Sequence, residues 1–217
     1  MKKIILFLML PTILILFAGC GKKDSPEEAL SEIQTAFSER DIEKFSERID
    51  TENFFSQVYD DATIELAKNC EVYGKKYPKD PYFQHDGEFL KKYNAEHKEL
   101  HMKFLDNVIK SYFAKMPEPD KPEENPYAYV ANEFEKIRNA SLFKVTDSTI
   151  DENNHATITA EVAGDNSMRG MFIGKLIFKL GFDKNENGKW RLTKIENIDE
   201  LTPSIVDKAE LIWITFF

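Results

Sequence analysis

His97-Lys98-Glu99-Leu100-His101 places two imidazoles four residues apart, which on a helix puts both on one face, projecting the same way. Rings so placed can hold a zinc ion or serve as a pocket acid and base. The zinc-protease signatures need glutamate directly after the first histidine or directly before the second. Glu99 stands midway, so neither signature is met, and His97 falls on an apolar stripe where packed rings are the plainer reading. His85-Asp86 could add a ligand, but nothing in the sequence brings it near. Asp183-Lys184-Asn185-Glu186-Asn187-Gly188 matches the first half of an EF-hand calcium loop. The twelfth position, where a bidentate glutamate belongs, is Lys194, and Asn187-Gly188 is equally hairpin-turn chemistry. Cys70 is either a small buried thiol on a helix or a reactive or intermolecular one. There is no Gly-x-Ser-x-Gly elbow, no phosphate-cradling loop and no dinucleotide fingerprint. Acidic residues are plentiful, yet spacing selects no pair of them. The expectation is therefore no catalytic residue, no cofactor and no metal site, with His97 and His101 the first side chains to test should the chain be an enzyme.

The elements around these residues divide the chain in two. Ser25-Pro26-Glu27-Glu28 reads as a helix start, with Ser25 as cap, Pro26 in the first turn and Glu28 completing a capping box. Leu30, Ile33 and Phe37 follow at helical spacing. A second short helix starts at Asp41 with Ile42, Phe45 and Ile49 on one face. Thr51 is the expected cap of a third, carrying Phe55, Tyr59, Ala62 and Leu66. Residues 74–87 read as a loop. A long helix over 88–116 is expected to bury Leu90, Tyr93, His97, Leu100, Phe104 and Val108, with Leu105, Ile109 and Tyr112 widening the stripe, and another spans 127–139. The loop between them, 117–126, is rich in proline and acid.

From Leu142 the period changes to two. Strands are expected at 142–150, at Ala156, Ile158, Ala160 and Val162, at Leu176, Phe178, Leu180 and Phe182, and at Trp190 and Leu192. Thr202-Pro203 reads as the cap and first turn of a last helix, with Ile205, Ala209, Ile212 and Phe216 on its apolar face. Helices followed by an antiparallel meander is an α+β plan. The expected architecture is N-terminal helices packed on a C-terminal four-stranded antiparallel meander, with a short C-terminal helix.

The 217 residues suffice for a real core without metal or disulfide staples. The formal charge of −9 repels phosphate backbones, which argues against nucleic acid as a partner.

The most specific stretch lies upstream of the domain. Met1-Lys2-Lys3 is a positive start, residues 4–17 form an apolar run too short for a comfortable membrane span, and Leu16-Phe17-Ala18-Gly19 precede Cys20. This resembles the lipobox of bacterial lipoproteins, with Phe17 departing from the usual aliphatic residue. The resemblance implies a signal peptide over 1–19 and a lipid on Cys20. A lipidated tether over 20–24 would span about 17 Å when extended. A single α+β domain over 25–217 is expected to follow, helical over 25–139 and sheet over 140–217. With Cys20 lipidated, Cys70 has no partner in the chain.

Ser25-Pro26-Glu27-Glu28-Ala29-Leu30, Glu39-Arg40-Asp41-Ile42 and Gly188-Lys189-Trp190-Arg191-Leu192 are similar to bacterial envelope proteins of the cone-shaped, nuclear transport factor two-like type. That resemblance implies helices over the concave face of a curved sheet, enclosing a pocket. It leaves the long helix near 88–116 unaccounted for and brings no catalytic residues. The resulting expectation is a ligand-binding or protein-interaction module held at the cell envelope through Cys20, outside the cytoplasm. Its partners would be the membrane and an envelope protein or small apolar ligand. An envelope enzyme with a pocket acid or base and a structural envelope lipoprotein are the alternatives.

Overall fold

The computed structural model describes residues 24–216. The Leu16–Cys20 stretch lies outside them. Ser25 caps α1 (Pro26–Glu39), its hydroxyl accepting the Glu28 N–H at 3.2 Å. Glu28 reaches back to the Asp24 N–H rather than to Ser25 itself. α1 ends at Arg40, whose left-handed φ of 61° turns the chain directly into α2 (Ile42–Arg48), capped by Asp41. Asp50, not Thr51, caps α3 (Thr51–Lys68). Cys70 lies on a helix, α4 (Cys70–Lys76), which runs into the expected loop over 74–87, and that segment also holds a 3₁₀ turn (Pro81–Gln84). Asp86 caps α5 (Gly87–Phe113) and Asn125 caps α6 (Pro126–Asn139). Each of these caps gives a side-chain oxygen to a first-turn N–H that the helix cannot satisfy itself.

The sheet is a pure antiparallel meander, β1 (Ser141–Ile150), β2 (Ala156–Gly164), β3 (Lys175–Lys184) and β4 (Trp190–Ile195), in that spatial order. The fold is thus α+β, helices first, then the four strands, then a C-terminal helix. A short helix, α7 (Met168–Ile173), interrupts the β2–β3 connection, where only a turn was expected. The last helix, α8 (Ile198–Phe216), begins five residues upstream of Pro203, the expected first helical position. Thr202 is not its cap; its hydroxyl donates back to the Ile198 carbonyl at 2.7 Å, and Pro203 lies inside the helix. Of its expected apolar face, Ile205 and Ala209 are buried, whereas the side chains of Ile212 and Phe216 lie outside the description.

Alternation decides which face of the sheet is covered. Ala156, Ile158, Ala160 and Val162 of β2, and Phe178, Leu180 and Phe182 of β3, are fully buried. They form one core with Leu30 and Ile33 of α1, Phe54, Tyr59 and Leu66 of α3, and Leu201 and Ile205 of α8. The layer between sheet and helices is filled by these side chains. Each fully buried large apolar group contributes about 1.5–3 kcal/mol.

The opposite face carries the intervening polar residues, with Lys175 on Glu161 at 2.6 Å and Lys179 on Glu200 at 3.1 Å. The β4 edge is covered. Ile49 bridges to Leu192, and Arg48, itself paired with Glu32, donates to the Trp190 carbonyl at 3.1 Å. The β1 edge is open over residues 144–150 but bulged between Val145 and Asp147, a device that discourages pairing with another strand.

The stripe buried by α5 keeps Leu90, Leu105, Val108 and Tyr112 of the expected one and departs from it at Leu100, Asn94 and His101. Leu100 is 61% exposed, while Asn94 and His101 are buried with Leu90, Leu105, Val108 and Tyr112. The inward face is rotated so that two polar side chains enter the core.

Candidate functional site

The histidine pair on α5 is built into packing. His101 is 6% exposed, with its Nδ1 2.9 Å from the Tyr59 hydroxyl. That hydroxyl also lies 2.9 Å from the Asn94 carbonyl. The Asn94 amide, 1% exposed, donates to Thr63 Oγ1 at 3.1 Å and meets the Tyr82 hydroxyl at 2.8 and 3.0 Å. α3, α5 and the 3₁₀ turn are thereby joined by one buried polar network. Burial, with His97 nearby, pushes the His101 pKa down to about 4 and keeps the ring neutral. The same burial pushes the Tyr59 hydroxyl well above its usual range. His97 stacks on Tyr93 at 4.1 Å between centroids, and its Nδ1 bonds the Tyr93 carbonyl at 2.8 Å. The two rings lie 6.0 Å apart along the helix with their Nδ1 atoms committed to different partners. Such an arrangement rigidifies a core and offers no shared lone-pair site.

A second cluster was not singled out in the sequence. His155, just before β2, has Nδ1 2.6 Å from Asp183 Oδ1 and Nε2 2.6 Å from Glu196 Oε1. Thr193 donates to the other Asp183 oxygen at 2.6 Å and Thr157 to the other Glu196 oxygen at 2.9 Å. Burial alone would lower the His155 pKa, but the two carboxylates outweigh it and raise the value above 6.5. Burial likewise works against Asp183 and Glu196, whose hydrogen bonds prevail and hold both below the usual carboxylate range. The imidazole nitrogens point at different carboxylates, so the three groups do not converge on a common point. Among the described residues no group of three or more histidine, cysteine or acidic side chains is arranged to hold a metal ion. In the Asp183–Gly188 segment, Asn185 accepts the Asn187 and Lys189 N–H groups at 3.0 Å each, closing the hairpin around Gly188 at φ 74°.

A groove of about 760 Å³ lies between α3 and α5. Its floor is apolar, from Phe55, Met102, Leu105 and Ile109. Its margins carry charges of both signs, Glu52, Glu99 and Asp106 against Lys98 and Lys103. The α5 wall runs from Ala95 to Ile109, about 21 Å of helix at 1.5 Å per residue. Lys98 is already engaged with Asp60 at 2.6 Å. A floor and margins of this kind suit an elongated amphipathic segment lying along two helices. The groove lies between helices, not between helices and sheet.

Comparison with family models, with characterised proteins and with solved structures gives no match.

Cys20, the expected lipid attachment residue, lies outside the described residues. Cys70 is 6% exposed within α4 and forms no disulfide. Among the described residues no helix is long and apolar enough to cross a membrane. The groove and the His155 cluster both escape sequence reading for one reason. Their residues are far apart in the chain, and only helix pairing and strand register bring them together.

Proposed function

We propose that this protein is a membrane-anchored bacterial lipoprotein whose α+β domain is a ligand-binding or protein-interaction module at the cell envelope. The observation that carries the reading is Leu16-Phe17-Ala18-Gly19-Cys20, preceded by Met1-Lys2-Lys3 and an apolar run. Residues with this order fit cleavage before Cys20 and thioether attachment of a diacylglycerol to its sulfur. Two or more acyl chains make attachment stable, at about 0.8 kcal/mol per buried methylene. The first helix begins at Pro26, only six positions after Cys20, so a lipidated chain would hold its domain close to the bilayer. The α3–α5 groove supports the binding half of the reading, being open, apolar at its floor and charged at its rim.

Two variants in a bacterial host test the two halves. Cys20→Ser should abolish lipid labelling and release the chain from the membrane fraction; unchanged labelling would sink the lipoprotein reading. Ala95→Arg projects a long side chain from an exposed helix position into the groove. Crosslinking in intact cells should lose the wild-type adducts that map to the groove. An unaltered adduct pattern would show that the groove is not the binding surface.

A further inference from the structure

His155 stands at the corner where β2 begins, β3 ends and β4 has just ended. Ala156 pairs with Phe182, so His155 falls beside Asp183, and the turn after β4 brings Glu196 to its other side. Both ring nitrogens lie 2.6 Å from a carboxylate oxygen. A carboxylate can only accept, so both contacts are hydrogen bonds only when both nitrogens carry protons. The neutral ring has one N–H and one lone pair, and its lone pair then faces an anion.

The other charges at this corner belong to three elements. Lys194, in the β4 bulge, lies 3.4 Å from Glu196. Asp151, in the β1–β2 turn, accepts the His155 backbone N–H at 2.9 Å. Asp61 of α3 faces Lys194. Two carboxylates thus meet the ring, Asp151 holds its backbone N–H, and one ammonium opposes them, an imbalance that favours the imidazolium. Beside the cluster lies a cleft of about 280 Å³ between the start of α3 and the β3–β4 hairpin, lined by Asn53, Gln57, Arg191, Thr193 and Asp183. Asp183 therefore belongs both to the cluster and to the cleft wall.

We propose that His155 is a proton-operated clasp, which when protonated closes this corner of the sheet on Asp183 and Glu196 and when deprotonated releases a carboxylate and opens the cleft beside β4. The working range follows from the signs. His155 titrates above 6.5 in the folded chain, so its contribution is complete below that value and fades as pH rises through the folded pKa. Asp183 and Glu196 titrate below 3.8 and 4.5, so theirs is complete above those values and fades only in stronger acid. The clasp is closed in mild acid and opens on the alkaline side.

Amide hydrogen exchange on the full-length protein tests this, read as protection factors so that intrinsic base catalysis cancels. Protection at Thr157, Asp183 and Glu196 should fall as pH rises from about 6 to 9, tenfold for each pH unit by which the folded value exceeds the unfolded one. His155→Gln, which cannot titrate, should show no such fall. Flat wild-type protection, or an equal fall in His155→Gln, would overturn the clasp. Should His155→Gln fail to fold, nitrogen-15 shifts of the wild-type ring decide the matter. A folded midpoint above 6.5 with both nitrogens protonated below it sustains the clasp, and a midpoint at or below 6.5 overturns it.

Discussion

Acidification should destabilise this protein through His101. In the folded chain the ring is buried and neutral, with burial holding its pKa near 4 instead of 6.5. Between those two values the unfolded chain holds one proton more than the folded chain. Stability therefore rises with pH across that window and is lost as pH falls through it. The gap of about 2.5 pH units corresponds to roughly 3 kcal/mol at full development. That is a large share of the about 5–15 kcal/mol that stabilises an ordinary domain. The assay is urea unfolding at several pH values from about 4.5 to 7, with stability taken by linear extrapolation. His101→Gln is the comparator, because its side-chain amide N–H can still donate to the Tyr59 hydroxyl, whose own proton goes to the Asn94 carbonyl, but it cannot titrate. The difference between the two curves removes other groups, including Asp61, whose burial-raised pKa gives the opposite slope. Wild type should lose most of the expected amount across the window, and His101→Gln little by this route. Parallel curves would refute the assignment of His101 as a neutral core residue.

Three further substitutions probe the scaffold. Asn94→Ala removes the amide's bonds to Thr63 and Tyr82 and leaves a cavity at a site 1% exposed, so urea unfolding should show a loss of about 3–5 kcal/mol. Gly164→Ala would place a methyl 1.7 Å from the Gly170 carbonyl oxygen. The β2–α7 connection must then shift, and the thermal midpoint should drop by several degrees, for a cost of about 1–3 kcal/mol or more. Tyr73→Phe deletes a buried hydroxyl that has no hydrogen-bond partner among the described residues, so stability should hold or rise by up to about 1 kcal/mol.

Strand order and most helices were legible because their signals are local. Ala156, Ile158, Ala160 and Val162 alternate without a break, and all four are fully buried. Ser25 and Asp41 announce helix starts through side chains that cap within three residues. Leu90, Leu105, Val108 and Tyr112 of the α5 stripe are buried as expected, but its polar members escape because periodicity scores apolar residues only. Asn94 and His101 face inward on the strength of Tyr59, Tyr82 and Thr63, which lie elsewhere in the chain. Thr51 and Thr202 were plausible caps, but Asp50 offers a better-placed carboxylate, and Thr202 bonds backward within its own helix. α7 was hidden by its length, since Met168–Ile173 is too short to show a period. The His155 cluster depends on the pairing of Ala156 with Phe182 and on the chain's turn after β4, neither of which a linear scan supplies. The α3–α5 groove is likewise a product of helix pairing.

The central claim is the anchor, and the N-terminal peptide of protein extracted from bacterial membranes tests it most directly. Its mass spectrum should show a chain beginning at Cys20 with a diacylglycerol on the sulfur. A chain beginning at Met1, or cut elsewhere with Cys20 unmodified, would contradict the account.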